Sequence, residues 1–155
     1  MGICSGANLT EVYTSLAEGN TPGVGDFFYG VGSKVYKFVQ YKEGTAAVDG
    51  VAGEVAYYYT LDGYKLGQVT SDLSDSVEVG AGVLQANVSE DEYCWVQIKG
   101  AATLTLALTA GADGDPLTPT GSADGTLDVS AAVTDNVCAI AGDISDLEII
   151  CDFPF

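Results

Sequence analysis

Carboxylates are the most abundant side chains in this sequence that could perform chemistry. Asp and Glu total 22 against five Lys, and the sequence contains no His. Without His, no Ser–His or Cys–His nucleophile pair and no His-ligated metal site can form. Paired carboxylates hydrolyse glycosides when a cleft raises the pKa of one of them, but these acids lie mainly in polar, Gly-rich turns. We therefore interpret them as a solvated surface, predict no catalytic residue, and do not expect an enzyme.

Two short segments, residues 113–115 and 124–128, alternate Asp with Gly as calcium-binding loops do. Neither matches the EF-hand loop that ends in Glu, so ordinary turns are the better interpretation. Gly23 and Gly25 form a lone glycine pair that does not join a strand to a helix, as a dinucleotide site requires. We expect no metal ion and no cofactor.

The cysteines are widely spaced and form no Cys-x-x-Cys pair. Three of them fall on apolar faces of predicted strands, which favours buried free thiols. A disulfide between Cys138 and Cys151 is the alternative. The four residues are Cys4, Cys94, Cys138 and Cys151.

The formal net charge is −17, and residues 100–155 contain nine acids and no Lys. Such a charge repels the phosphates of nucleic acid and the headgroups of an anionic membrane. No apolar run approaches the ~20 residues of a membrane-spanning helix. We expect neither nucleic acid nor a membrane as a partner.

One stretch organises the predicted fold. From Cys94 to Leu108 every second residue is apolar or small, which predicts a strand with one buried face. Trp95, the only Trp, and Gln97 lie on the opposite face. Because a straight strand of this length is unusual, we predict a bend or a bulge at Gly100.

Shorter strands are predicted on both sides of this stretch, separated by Gly, Asp and Pro turns. They predict an all-β fold, a small sandwich or barrel of short antiparallel strands with an extended N-terminal arm. An Asp-Gly turn at 61–64 precedes the third of them, and residues 111–125 are predicted as a loop because of their two prolines. The predicted strands are Lys34–Tyr41, Glu54–Leu61, Lys65–Thr70, Leu127–Val133, Val137–Ala141 and Leu147–Phe153.

We divide the chain into an N-terminal arm, residues 1–33, and a β domain, residues 34–155. The arm includes a predicted short helix from Leu9 to Leu16. The arm is too apolar to stay in water without a partner surface. It either docks on another protein or folds back onto its own domain, and the sequence favours neither.

Aromatic residues could also form a platform for sugars. Tyr57, Tyr58 and Tyr59 follow one another, and with Trp95 they could stack on a carbohydrate. Because one face of a small sheet is normally core, we favour core packing or a subunit contact for them.

A resemblance to a known family is carried mainly by the stretch from residue 82 to residue 100. GVLQANVSEDEYCWVQIKG, residues 82–100, places a Gly-rich strand and a short loop before a Tyr-x-Trp-x-Gln-x-x-Gly motif. A Val-Thr-x-Asp element precedes it at residues 69–72, and a terminal strand follows at 147–153. Over about residues 50–155 the sequence resembles small tailed-phage head proteins that decorate or cement the capsid. Most of the resemblance rests on Tyr93, Trp95, Gln97 and Gly100, while Cys94 stands where these proteins more usually have Gly.

The resemblance implies a β-rich structural protein of a bacteriophage virion, commonly a homotrimer, on the outer surface of the capsid. Such a decoration or cement protein bridges neighbouring subunits of the major capsid protein and stabilises the shell. On this basis we predict contacts to the capsid or to another subunit, with ordinary core packing an equal alternative for Trp95. The predicted contact residues are Leu9, Val12, Tyr13, Phe27, Phe28, Tyr29, Tyr93, Trp95, Gln97, Phe153 and Phe155.

A second hypothesis is a β-sandwich adhesin or carbohydrate-binding module in a tail fibre or a surface protein. It requires a concave aromatic site, with Tyr57 and Trp95 as its candidates.

Overall fold

β-Strands supply nearly all regular structure in the computed structural model, which describes residues 6–17 and 21–155. Within these residues one short α-helix and two 3₁₀ turns, Leu73–Asp75 and Ile144–Asp146, complete the secondary structure. This confirms the predicted all-β fold. The elements are β1 (Phe27–Tyr29), β2 (Val35–Tyr41), β3 (Val55–Tyr58), α1 (Leu61–Leu66), β4 (Gln68–Thr70), β5 (Gly80–Leu84), β6 (Tyr93–Thr103), β7 (Pro116–Thr118), β8 (Asp128–Val129), β9 (Ala139–Ala141) and β10 (Glu148–Asp152).

Five strands close into a barrel in the order β2, β4, β3, β5 and β6, because β6 pairs back with β2. Four of the five pairings are antiparallel, as predicted. The fifth, between β2 and β4, is parallel and aligns Gln40 with Gln68. Helix α1 lies in the connection that makes this parallel pairing possible, since parallel strands cannot be joined by a tight turn.

A second group of strands extends from the barrel, and we call it the side sheet. Beyond Gly100, strand β6 pairs with β10, and the order continues through β9 and β7 to β8. One hydrophobic cluster runs from the barrel into the side sheet and includes Val39, Tyr57, Leu117 and Ile149. The two parts therefore share a core and form one folding unit.

Gly100 is where β6 passes from the barrel to the side sheet. Its φ is +88°, and the pairing of β2 with β6 shifts register just before it, between Val35 and Tyr36. A Cβ atom here would lie 3.0 Å from Lys34 Cγ and 3.1 Å from the Ser33 carbonyl oxygen. The predicted irregularity at Gly100 is confirmed, and it requires glycine for both its backbone angle and its close contact.

Four local predictions are wrong, and in the first three a side chain or a distant strand forms hydrogen bonds with the backbone that the sequence pattern does not reveal. The predicted helix Leu9–Leu16 does not form, since the Tyr13 N–H and C=O pair with Tyr93 at 2.9 and 2.8 Å. Residues 61–66 form α1 in place of a turn and the start of a strand. Its N-cap is Thr60, whose hydroxyl accepts the Gly63 N–H at 2.9 Å, and its C-cap is the left-handed Gly67.

The third wrong prediction is the strand Leu127–Val133. The strand observed there, β8, is only two residues long. It stops because the Asp135 carboxylate accepts the N–H groups of Ala131 and Ala132, both at 2.9 Å, and folds them into a turn. The predicted loop 111–125 also contains a strand, β7. Pro116 begins it, at a position where a missing N–H is tolerated.

The described part of the predicted arm lies against the β domain. Strand β1 pairs along β2, and Phe27 is buried in the main core. Of the two alternatives for the arm, these residues follow the one in which it folds back onto its own domain. Residues 1–5 and 18–20, including Cys4, lie outside the described residues, and the division at residue 33 stays a prediction.

The core contains three free thiols, Cys94, Cys138 and Cys151. The prediction of buried free thiols is confirmed for them, and the Cys138–Cys151 disulfide is not present. Burial raises the pKa of Cys94 and of Cys151 to about 12, because the thiolate would lose its hydration. Burial also raises the pKa of Cys138.

We predict that Gly100→Ala destabilises the chain by about 2 kcal/mol more than Gly114→Ala does. Both glycines have φ +88°, but an added Cβ at Gly114 meets nothing within 4 Å. The difference therefore isolates the contact with Ser33 and Lys34. Urea unfolding of both variants measures it, and equal losses would contradict the close approach at Gly100.

We also predict that stability is full below about pH 8.5 and falls as the pH rises above it. The unfolded chain releases its thiol protons in that range, whereas the folded chain holds those of Cys94 and Cys151 up to about 12. Urea unfolding at rising pH tests this, with Cys94→Ala expected to show a smaller fall. Rapid reaction of the three buried thiols with a thiol reagent in the native protein would argue against it.

Candidate interaction surfaces

No cluster of acidic and cysteine side chains in residues 6–17 and 21–155 is arranged to hold a metal ion. No helix in the same residues is long and apolar enough to span a membrane. Two of the tyrosines considered for a sugar platform, Tyr57 and Tyr58, are fully buried in the main cluster, while Tyr59 is partly buried. Trp95 is fully buried in a different cluster. The exposed surfaces of the chain are the candidate site.

Five of the predicted contact residues lie together on the outside of the barrel, in what we call the aromatic cluster. Its buried centre is Phe38, Trp95 and Tyr36, from β2 and β6, with the rings of Phe38 and Trp95 5.1 Å apart. These side chains point outward because the inward positions of both strands fill the barrel. Around the centre pack Ala7, Leu9, Tyr13, Val24, Phe28 and Tyr93.

The N-terminal segment covers this cluster through both backbone and side chains. The Tyr13 ring meets Phe38 edge-on at 5.6 Å, in addition to its backbone bridge to Tyr93. Phe28 covers the other side, 6.4 Å from the Trp95 ring. Trp95 Nε1 is buried and has no hydrogen-bond partner among the described residues. Trp95 thus packs within its own chain, which agrees with the alternative of ordinary core packing for this residue.

The remaining predicted contact residues divide between core and surface. Phe27 and Phe153 belong to the main core, and Val12 packs against it. Gln97 is buried, and its Nε2 donates to the Lys99 and Ala101 carbonyls at 3.0 and 2.9 Å, which holds the backbone on either side of Gly100.

Tyr29 and Phe155 are the predicted contact residues with the most open side chains, 54% and 57% exposed. Phe155 meets Phe27 edge-on at 5.4 Å, and Lys99 Nζ lies 4.8 Å above its ring. That a capsid protein or a second subunit contacts these two residues stays a prediction.

Sequence reasoning missed an exposed apolar row on the outer face of the side sheet. Four register partners on β6, β10, β9 and β7 form it: Ala101, Ile150, Ile140 and Pro116. We call them the isoleucine row, because Ile140 and Ile150 are 48% and 42% exposed. A signal was available, since Ile150 interrupts the apolar–polar alternation of the last strand.

A cleft of about 700 Å³ adjoins the isoleucine row. Lys99 and Asp152 form an ion pair at its rim, and they are two residues along β6 and β10 from Ala101 and Ile150. Asp135 is a second acid at the rim. The sequence could not predict this cleft, because five separate segments build it. Its apolar walls are Tyr64, Val77, Val79, Val137, Phe153 and Pro154.

Four lysines already have partners. Lys42 pairs with two acids of the 89–92 turn, Lys65 with Asp62, and Lys99 with Asp152. Lys37 Nζ donates to the Tyr58 hydroxyl at 2.9 Å, and burial lowers the pKa of this lysine. The nine acids of residues 100–155 therefore leave the side sheet strongly negative.

No protein-family model matches the sequence, and no curated protein is similar to it. Among solved structures, the chain is similar to the N base of the head fiber gp8.5 of bacteriophage phi29. The TM-score is 0.50 at 15% sequence identity, and the alignment covers 77% of this chain and 94% of that chain. At this identity the similarity concerns the fold.

The aromatic cluster yields a prediction about Phe28. We expect Phe28→Ala to cost about 2 kcal/mol and to shift Trp95 emission to the red, because the variant opens the cluster to water. The neighbouring Tyr29→Ala is the matched control, since its side chain is 54% exposed and its loss opens no core. Urea unfolding followed by Trp fluorescence measures both. Equal effects of the two variants would show that Phe28 does not seal the cluster.

Proposed function

We propose that this chain is a structural protein of a bacteriophage virion. It binds the outside of the assembled capsid, bridges neighbouring subunits of the major capsid protein and stabilises the shell. The observation that carries the proposal is the fold similarity, which spans 94% of a domain named as the base of a phage head fiber.

The sequence motif supports the same proposal independently. The Tyr93, Trp95, Gln97 and Gly100 pattern resembles phage decoration proteins, and in this fold these residues have structural roles. Trp95 is the centre of the aromatic cluster, while Gln97 and Gly100 shape the bend between barrel and side sheet. The motif therefore specifies the scaffold, and the contact surface lies elsewhere on it.

Stabilisation by such a protein is a matter of differential affinity. A chain that binds the assembled lattice and not the free subunit shifts the equilibrium toward the assembled state. Many copies on one shell act together, so each contact can be weak. We propose a homotrimer as the binding unit, because three linked copies would engage the lattice with higher avidity than one.

The net charge of −17 suits this location. A strongly acidic protein is not drawn to the packaged genome, whose phosphates repel it, and it stays soluble at the high local concentration of a shell.

The proposal is tested by quantitative mass spectrometry of purified virions that carry this chain, with the major capsid protein as the internal reference. We expect a copy number comparable with that of the major capsid protein, because a decoration protein repeats with the lattice. Cryo-electron microscopy of the same particles should then place its density on the outer surface. A few copies per particle would indicate a tail or fibre protein, and absence from particles would overturn the proposal.

A further inference from the structure

We infer that the outer face of the side sheet, formed by the isoleucine row and the adjoining cleft, docks a cationic chain segment that carries apolar anchor side chains. The inference rests on the proposed function in one respect, namely that the segment belongs to the capsid subunit. The chemistry of the segment is argued from this chain alone.

The outer face of the side sheet is apolar where β9 and β10 meet. Ile140 and Ile150 are register partners on neighbouring strands, so their exposed side chains form one continuous patch. β-Branched residues on the water-exposed side of a sheet bury apolar area once a partner covers them. Two residues away the patch meets the cleft, whose walls include Tyr64 and Val137.

The cleft offers room for anchor side chains. A volume of about 700 Å³ is large enough for one or two apolar side chains of a docked segment. Gly80 packs directly against the floor, where a Cβ would lie 2.7 Å from Phe153 and 2.9 Å from Cys138 Sγ, so a larger residue would displace these side chains. The floor is built by residues of the main core, so the cleft is preformed and its occupant meets a rigid surface.

The charge of the face selects the occupant. Asp152 and Glu148 lie on β10 on either side of Ile150, and Asp135 stands at the cleft rim. Lys99 pairs with Asp152, so Glu148 and Asp135 carry the net negative charge beside the patch and the cleft. An occupant with Lys or Arg next to its apolar anchors would complement this field.

The same charges disfavour a second copy of the chain on this face. Residues 100–155 contain no Lys, so a face-to-face contact between copies would bring acids against acids. The homotrimer proposed above is therefore expected to use another surface.

The experiment uses a short acetylated peptide of alternating lysine and leucine as the probe, titrated into the full chain and followed by amide NMR shifts. We expect the shifts to map to residues 137–141 and 148–153, and binding to weaken with salt. The same peptide with glycine in place of leucine should bind about tenfold or more weakly, because it lacks the anchors.

Two double variants of matched exposure separate the face from the rest of the surface. Ile140→Ser with Ile150→Ser should weaken peptide binding by about tenfold or more. Val51→Ser with Leu106→Ser is the control, since these side chains are 42% and 39% exposed and lie outside the face. The control should bind as the parent chain does. Equal binding by all three proteins, or shifts that map elsewhere, would overturn the inference.

A second experiment measures binding to capsid shells from which this chain has been removed. If the parent chain and the control bind shells and the isoleucine variant does not, both proposals are supported. If all three proteins bind shells equally, the outer face of the side sheet is not the docking site, and the proposed function stands. If none binds shells while the peptide result holds, the proposed function fails and the chemistry of the face stands. Self-association of the parent chain that the isoleucine variant abolishes would assign the face to a second copy and overturn the inference.

Discussion

One strand, β6, pairs with strands of both the barrel and the side sheet, and much of this structure follows from that requirement. Strand β6 pairs with β2 on one side, while on the other it pairs first with β5 and then with β10. The exchange of partners is possible only where β5 turns away, and Phe153 N–H then donates to the Ile98 carbonyl at 3.0 Å. Gly100 supplies the backbone angle at this point. A barrel and a side sheet therefore share one core, which a strand of ordinary length could not connect.

Patterns with a period of two predicted the part of the fold in which burial decides conformation. The alternation after Cys94 predicted β6, its buried face and its bend, because one side of the strand must fill the barrel. Elements decided by the hydrogen bonds of one side chain were not predictable in this way. Thr60 caps a helix where Asp-Gly indicated a turn, and Asp135 ends a strand that apolar alternation would have prolonged.

The predicted contact residues show the same limit of prediction from sequence. Aromatic residues were assigned to a partner surface because they are too apolar for water, but the fold itself provides that surface. Leu9, Tyr13 and Phe28 cover Trp95, and Phe27 enters the main core. Composition cannot distinguish packing within a chain from packing between chains, since the physical cause is the same. Ile140 and Ile150 are informative for the opposite reason, because the fold leaves them uncovered.

The position of β10 in the sequence has a consequence for synthesis. The barrel is built from residues up to about 99, whereas the strand that continues the sheet beside β6 begins at Glu148. All five barrel strands are therefore made while the second half of β6, including Ala102, still has an unpaired edge. Such an edge readily pairs with another chain, so nascent copies on one messenger are exposed to mispairing until β10 emerges.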